Sequence, residues 1–264
     1  MEIDLVYYYT VQILVVGLFI KSCEYVYTIK FFSKGNIFDY SIIGIDMFQT
    51  SSLGNFFNKI YSKKGVLSLV TGSMLLTIIL LIVDFNGIVY KSVLSLFILM
   101  NLLLYYRHSY GLDGADQMSL LILVTTLLCF TFIDIEIVKK IGIYFIAIQL
   151  SLSYTVAGIA KLVSKQWRSG KAIEGILSTY TYGTNFTRNI LTKNIVLCKI
   201  ICWSTILIEI FFPLCLLFSS DITLYCIGFG LLFHLSIAIV MGLNDFVWSF
   251  AAAYPAFYFL SLQI

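Results

Sequence analysis

Val66-Leu67-Ser68-Leu69-Val70-Thr71-Gly72-Ser73-Met74-Leu75-Leu76-Thr77-Ile78-Ile79-Leu80-Leu81-Ile82-Val83 runs through eighteen positions without one ionisable side chain. A helix of that length rises about 27 Å, close to the roughly 30 Å of hydrocarbon in a bilayer. Lipid offers the backbone no water to bond, so a segment this apolar satisfies its own N–H and C=O groups as a helix. Outward from it lie seven more mostly apolar stretches: Leu5–Ile20, Ile88–Tyr106, Gln117–Ile133, Ile141–Ala160, Ile200–Phe218, Ile222–Gly242 and Phe246–Ile264. The expected fold is an all-α integral membrane protein, a single bundle of about eight transmembrane helices over residues 1–264.

Composition agrees. The 264 residues are 60% hydrophobic and 12% charged, about half the charged fraction of a soluble domain. Eight spans leave room for two modest loops and no soluble domain. The net charge of +3, with basic residues neither dense nor patterned, excludes a nucleic-acid partner. Met1-Glu2-Ile3-Asp4 is acidic where a secretory leader is basic, and no small-residue cleavage site follows, so the first apolar segment is expected to stay as a helix. The six cysteines lie mostly in apolar stretches and read as small buried hydrophobes; Cys198 and Cys202, four apart, make a weak metal or redox pair. Two histidines, His108 and His234, exclude a His-rich metal site and leave a single-metal site of His234, Glu209 and an Asp as an alternative.

Two loops are longer than turns. In 21–65, Ser51-Ser52 precedes Leu53, Phe56, Phe57, Ile60 and Tyr61, an apolar stripe at helical spacing that reads as a serine-capped helix lying in the membrane surface. In 161–199, Ile173, Ile176, Leu177 and Tyr180 repeat the spacing and suggest a surface or partly re-entrant helix. The loops 21–65, 107–116 and 161–199 hold 14 of the 17 Lys and Arg, so the positive-inside rule places them in the cytoplasm and both termini outside, in the inner cell membrane.

An ionisable group inside a span is functional by default, because hydrocarbon penalises it. Lys161 closes the fifth span, with Tyr154 and Gly158 on its face. Glu209 lies mid-span, one turn before Pro213, which is expected to kink the helix and free a carbonyl. His234 lies mid-span in the seventh helix, with Asp245 placed on the same face three turns later. One reading is a polar staple that holds the bundle together. The other is a shared pocket where amine, carboxylate and imidazole meet and Lys161 serves as base or anion binder. Tyr110-Gly111-Leu112-Asp113-Gly114-Ala115-Asp116-Gln117 reads as a tight turn or a ligand-contacting gate at the membrane mouth. Trp167 reads as an interfacial anchor and Arg168 as a holder of an anionic group.

Tyr154-x-x-Ala157-Gly158-x-x-Lys161-Leu162 followed by Trp167 and Gly170, Glu209-x-x-x-Pro213, the turn at Asp116, and His234 followed by Gly242-Leu243-x-x-Phe246 resemble the membrane domain of the vitamin-K-dependent gamma-carboxylases. The resemblance extends to their bacterial relatives, the horizontally transferred transmembrane domain proteins, with their SdpB-like branch. It implies Lys161 as a base, with Glu209, His234 and Asp116 as catalytic candidates. It also implies a quinone or vitamin-K-like lipid near Tyr154, Gly158, Trp167 and Arg168. Where the carboxylase carries a histidine before the fourth span, this sequence has Asp116, with His108 in the same loop. The carboxylase's large soluble domain has no counterpart either, which argues against a complete carboxylase. The SdpB-like branch, of similar size, implies maturation of an exported peptide toxin together with a small partner protein. The resemblance places the lysine side away from the cytoplasm, opposite to the charge rule. Alternatives from the residues alone are a quinone- or lipid-binding transporter and an immunity or scaffold subunit without catalysis.

Overall fold

The computed structural model describes residues 2–40, 52–107, 113–131 and 135–264, and every regular element among them is helical. Helix α1 (Ile3–Thr28) runs into a 3₁₀ turn (Ile29–Phe32). Then come α2 (Ser52–Ile60), α3 (Lys63–Ile82), α4 (Ile88–Arg107), α5 (Gly114–Thr131) and α6 (Glu136–Val163). Two short helices, α7 (Lys165–Ser169) and α8 (Lys171–Ser178), and a π turn (Thr187–Leu191) lead to α9 (Ile195–Phe211). A 3₁₀ segment (Phe212–Leu217), α10 (Ser220–Met241) and α11 (Asn244–Ser261) complete the chain.

Among the described residues, six helical stretches are long and apolar enough to cross a membrane: Ile3–Phe32, Lys63–Ile82, Ile88–Arg107, Glu136–Val163, Ile195–Leu217 and Ser220–Met241. The chain is therefore an all-α, multi-pass membrane protein. The apolar part of α5, Gly114–Cys129, is shorter. α11 is less apolar for a different reason. Its inward positions carry Ala252, Ala253 and Ala256, all fully buried, with Tyr254 and an internal Pro255. Small residues let neighbouring backbones approach closely. α10 is the converse: only 11% of its most apolar window is buried.

Contacts divide the helices into two compact units, Val11–Ile133 and Met1–Thr10 with Asp134–Ile264. In Val11–Ile133, a short turn closed by the Gly87 N–H on the Asp84 carbonyl lets α3 and α4 pack as neighbours, with α5 on α4. Phe32, Val66, Val70 and Leu104 form a core cluster, with Tyr25, Ile29 and Phe38 packed against it. Ser62 caps α3 by accepting from the Gly65 N–H. The stripe of α2 divides: Phe57 stacks on Tyr61, whereas Phe56 is 58% exposed. The expected serine cap falls on Ser51, outside the described residues.

In the other unit, α6 carries both α9 and α11, and α11 pairs with α10. Two expectations need correction here. The stripe expected over 173–180 divides: Ile173 and Leu177 are buried against Cys198 and Cys202 of α9, whose four-residue spacing presents one matching face, whereas Tyr180 lies beyond the end of α8 and is 92% exposed. Gly170, at φ +89°, lets this turn lie on α9, since a Cβ there would stand 2.8 Å from the Lys199 backbone nitrogen. Asp245 does not continue the face of His234. α10 ends at Gly242 in the left-handed conformation, and Asp245 stands in the first turn of α11.

Candidate functional site

In the unit Met1–Thr10 with Asp134–Ile264, α6 presents one face to α9 and α11. Near the end of α6, Lys161 Nζ donates to both carboxylate oxygens of Glu209, each at 2.7 Å. The pair forms because Gly158 lets α9 come close. A Cβ at Gly158 would stand 2.7 Å from Ile210 Cγ1, 3.0 Å from the Ile210 backbone nitrogen and 3.1 Å from Glu209 Cβ. Lys161 Nζ also lies 5.2 Å from the centroid of the Trp167 ring, a cation–π contact on its outer side. The side chains remain partly accessible, Lys161 at 20% and Glu209 at 10%.

Pro213 changes the winding just beyond this pair. It has no N–H to offer the carbonyl four residues back, that of Glu209, and the α-helix gives way to 3₁₀ winding at Phe212. In place of a simple kink, the altered winding brings Phe212 face to face with Tyr154, with centroids 4.2 Å apart and planes at 18°.

Tyr154 is the centre of a second polar cluster. Its hydroxyl is 2.8 Å from His234 Nε2 and 3.0 Å from the Tyr254 hydroxyl, and all three residues are buried. Gly230 makes this possible: a Cβ there would stand 2.7 Å from Tyr254 Oη and 3.3 Å from Tyr154 Oη. Phe250 packs on the imidazole at 4.4 Å and edge-on to Tyr154 at 5.5 Å. His234 is 4% exposed, and its Nδ1 has no hydrogen-bond partner among the described residues. The tautomer is coupled to the phenols. If Tyr254 donates to Tyr154 and Tyr154 to Nε2, the imidazole proton is on Nδ1. If the chain runs the other way, Nδ1 is a bare acceptor.

The expectation of one pocket for amine, carboxylate and imidazole is met only in part. Lys161 meets Glu209, and His234 meets Tyr154. Tyr154 and Lys161 are seven residues apart, so the clusters are separated by about 10 Å along α6. They are two stations on one helix face, linked by Glu209 and Phe212 three residues apart on the facing segment.

The other candidates distribute differently. Asp116 belongs to the unit Val11–Ile133, where Lys21 donates to its carboxylate and the Asp113 side chain accepts its N–H at 2.8 Å. His108 and the part of the turn at 110–112 lie outside the described residues. Trp167 stands by Lys161, whereas Arg168 is exposed and its backbone is what is engaged: its N–H donates to the Ser164 carbonyl at 3.1 Å and its carbonyl accepts from Trp203 Nε1 at 3.2 Å. No group of three His, Cys, Asp or Glu suited to a metal ion occurs among the described residues, and His234 and Glu209 fall in different clusters. Sequence reasoning missed Tyr254, Gly230, Phe212 and Phe250. The signal present for Tyr254 was its position between a run of alanines and Pro255 in a helix that is poor in leucine and isoleucine.

Comparison of the chain with protein-family models, curated proteins and solved structures gives no match.

Proposed function

We propose that the chain is an eight-span inner-membrane protein of gamma-carboxylase-like type that takes part in modifying or maturing an exported peptide or toxin. α5 and α11, as the fourth and eighth spans, bring the six to eight in this reading, and a quinone or vitamin-K-like lipid is its cofactor. The observation that carries the reading is the orphaned Nδ1 of His234 in a buried, hydrogen-bonded chain of phenols. A buried polar nitrogen without a partner is rare and asks for one. A quinone carbonyl fits it, as an acceptor for Nδ1–H, and the rings of Phe212, Phe250 and Tyr154 suit a flat aromatic headgroup.

Such a lipid supplies two-electron redox chemistry when bound. The chain's own part is to hold and move protons. Reversing the donor sense along Tyr254, Tyr154 and His234 takes a proton from one end of the chain and delivers it at the other. Lys161 becomes a base only after passing its proton to Glu209, 2.7 Å away, which leaves a neutral amine beside a neutral carboxyl. The partial accessibility of that pair suits a peptide group arriving from the membrane boundary.

Purified protein, extracted and examined by mass spectrometry, is expected to yield a quinone-type lipid, and the His234→Phe variant to lose it. Lys161→Ala is expected to abolish maturation of the peptide while the protein stays abundant. Disappearance of the protein itself would favour the staple reading, which the closed bidentate pair also supports. A C-terminal fusion to an enzyme active only in the periplasm decides orientation: the charge bias gives activity, the family resemblance gives silence.

A further inference from the structure

The unit Val11–Ile133 contains a buried cation that the proposed proton chemistry leaves unused. Arg107, the last residue of α4, is 1% exposed. Its Nη2 donates to the Phe38 carbonyl, and its guanidinium lies 4.5 Å from the centroid of the Phe32 ring. Nε and Nη1 have no partner among the described residues. A guanidinium does not shed its proton, so a positive charge with two unsatisfied donor atoms is held out of water. Asp39 contributes negative charge in the neighbourhood, but one of its oxygens already accepts the Gly35 N–H at 2.7 Å.

A second orphan stands within electrostatic reach of it. Tyr61 is fully buried against Tyr40 and Phe57, and its hydroxyl has no partner among the described residues. Burial pushes this phenol up to about 12, with Tyr40 and Tyr106 adding to the rise and the charge of Arg107 opposing it. At neutral pH the group is therefore an O–H donor within electrostatic reach of that charge. Among the described residues, neither the Tyr61 hydroxyl nor Nε and Nη1 of Arg107 finds an acceptor.

The position selects the anion. α4 spans twenty residues, about the thickness of the hydrocarbon, so its last residue falls at the level of lipid headgroups. Lys30, Lys34, Lys59, Lys63 and Lys64 belong to the same unit and border its apolar helices in sequence, as basic residues do beside anionic leaflets. We infer that Arg107 anchors a binding site for a phosphate group, carried by an anionic phospholipid headgroup or present as free phosphate. The planar guanidinium matches phosphate oxygens, and the shielding of its nitrogens makes exchange slow.

The test uses full-length protein in neutral detergent, washed with about 1 M salt to strip lipids held only by surface lysines. Native mass spectrometry is expected to show one retained anionic phospholipid on wild type, and Arg107→Gln to retain it at least roughly tenfold less. Arg107→Lys, which keeps the charge without the fork, is expected to fall between them. If Arg107→Gln fails to fold, wild type alone decides. Its melting temperature in neutral nanodiscs is expected to rise on adding phosphatidylglycerol, and the rise to persist in high salt. A rise with inorganic phosphate and none with phosphatidylglycerol identifies free phosphate as the source. No salt-resistant rise with either, or equal lipid retention by Arg107→Gln, overturns the site.

Discussion

Lys161 and Arg107 both stand near the ends of long apolar helices, and the two units treat them in opposite ways. Lys161 is a fifth exposed and has both oxygens of a carboxylate for itself. Arg107 is buried far more completely, yet its partners are a carbonyl and a ring face, with two nitrogens unmet among the described residues. A charge in an apolar helix does not announce its role. What differs is whether the described residues close a pair on the charge. Where they do, the charge is part of the fold; where its donors stay open, the charge points to a further ligand.

The comparison can be broken most directly at Glu209. Glu209→Leu leaves the Lys161 ammonium unpaired and is expected to cost about 3–5 kcal/mol, most of it recovered in the Lys161→Met/Glu209→Leu double variant. Unfolding titrations in mixed micelles measure both; equal losses in single and double variants would show that no pair operates. Gly158→Ala is the next largest. Because the Ile210 backbone cannot swing aside as a side chain does, α6 and α9 must separate, at about 1–3 kcal/mol by the same titration. Tyr254→Phe removes one hydroxyl of the neutral cluster and is expected to cost about 0.5–1.5 kcal/mol. A larger loss would mean that the phenols brace the unit as firmly as the ion pair does. Smallest is Arg107→Met in neutral lipid free of phosphate. It removes a charge whose Nε and Nη1 find no acceptor among the described residues, and is expected to change stability by less than about 1 kcal/mol. A loss as large as that of Glu209→Leu would erase the contrast.

Much of this was legible in the sequence. The run 66–83 and most of its counterparts yielded helices close to the expected bounds, because lipid penalises exposed backbone so heavily, though α1 runs on to Thr28 and α9 gives way to 3₁₀ winding after Phe211. Lys161 and Glu209 were legible as partners for a related reason: two opposite charges in apolar segments have few alternatives. The imidazole's true neighbours were not legible. Nothing in the spacing of Tyr254 or Gly230 tells that a missing Cβ on one helix accommodates a hydroxyl from the next. The docking of α8 on α9 was hidden similarly, since an apolar stripe looks the same whether it faces lipid or cysteines. Arg107 was counted among the loop charges because it ends a span, and only its depth in the unit shows otherwise.

α10 lies between α11 and the surroundings, with Tyr225, Leu232 and Ile239 each more than 60% exposed. Along that flank the membrane requires oiliness and little else, so Leu, Ile, Val and Phe are interchangeable there. Inward on the same helix, Thr223, Gly230 and His234 are each buried, and each position allows almost no substitute. One helix thus carries two alphabets, a permissive one and a strict one. A saturation scan of its 22 positions would separate them as bands repeating every 3.6 residues, drawing the inner face of the unit from variant survival alone.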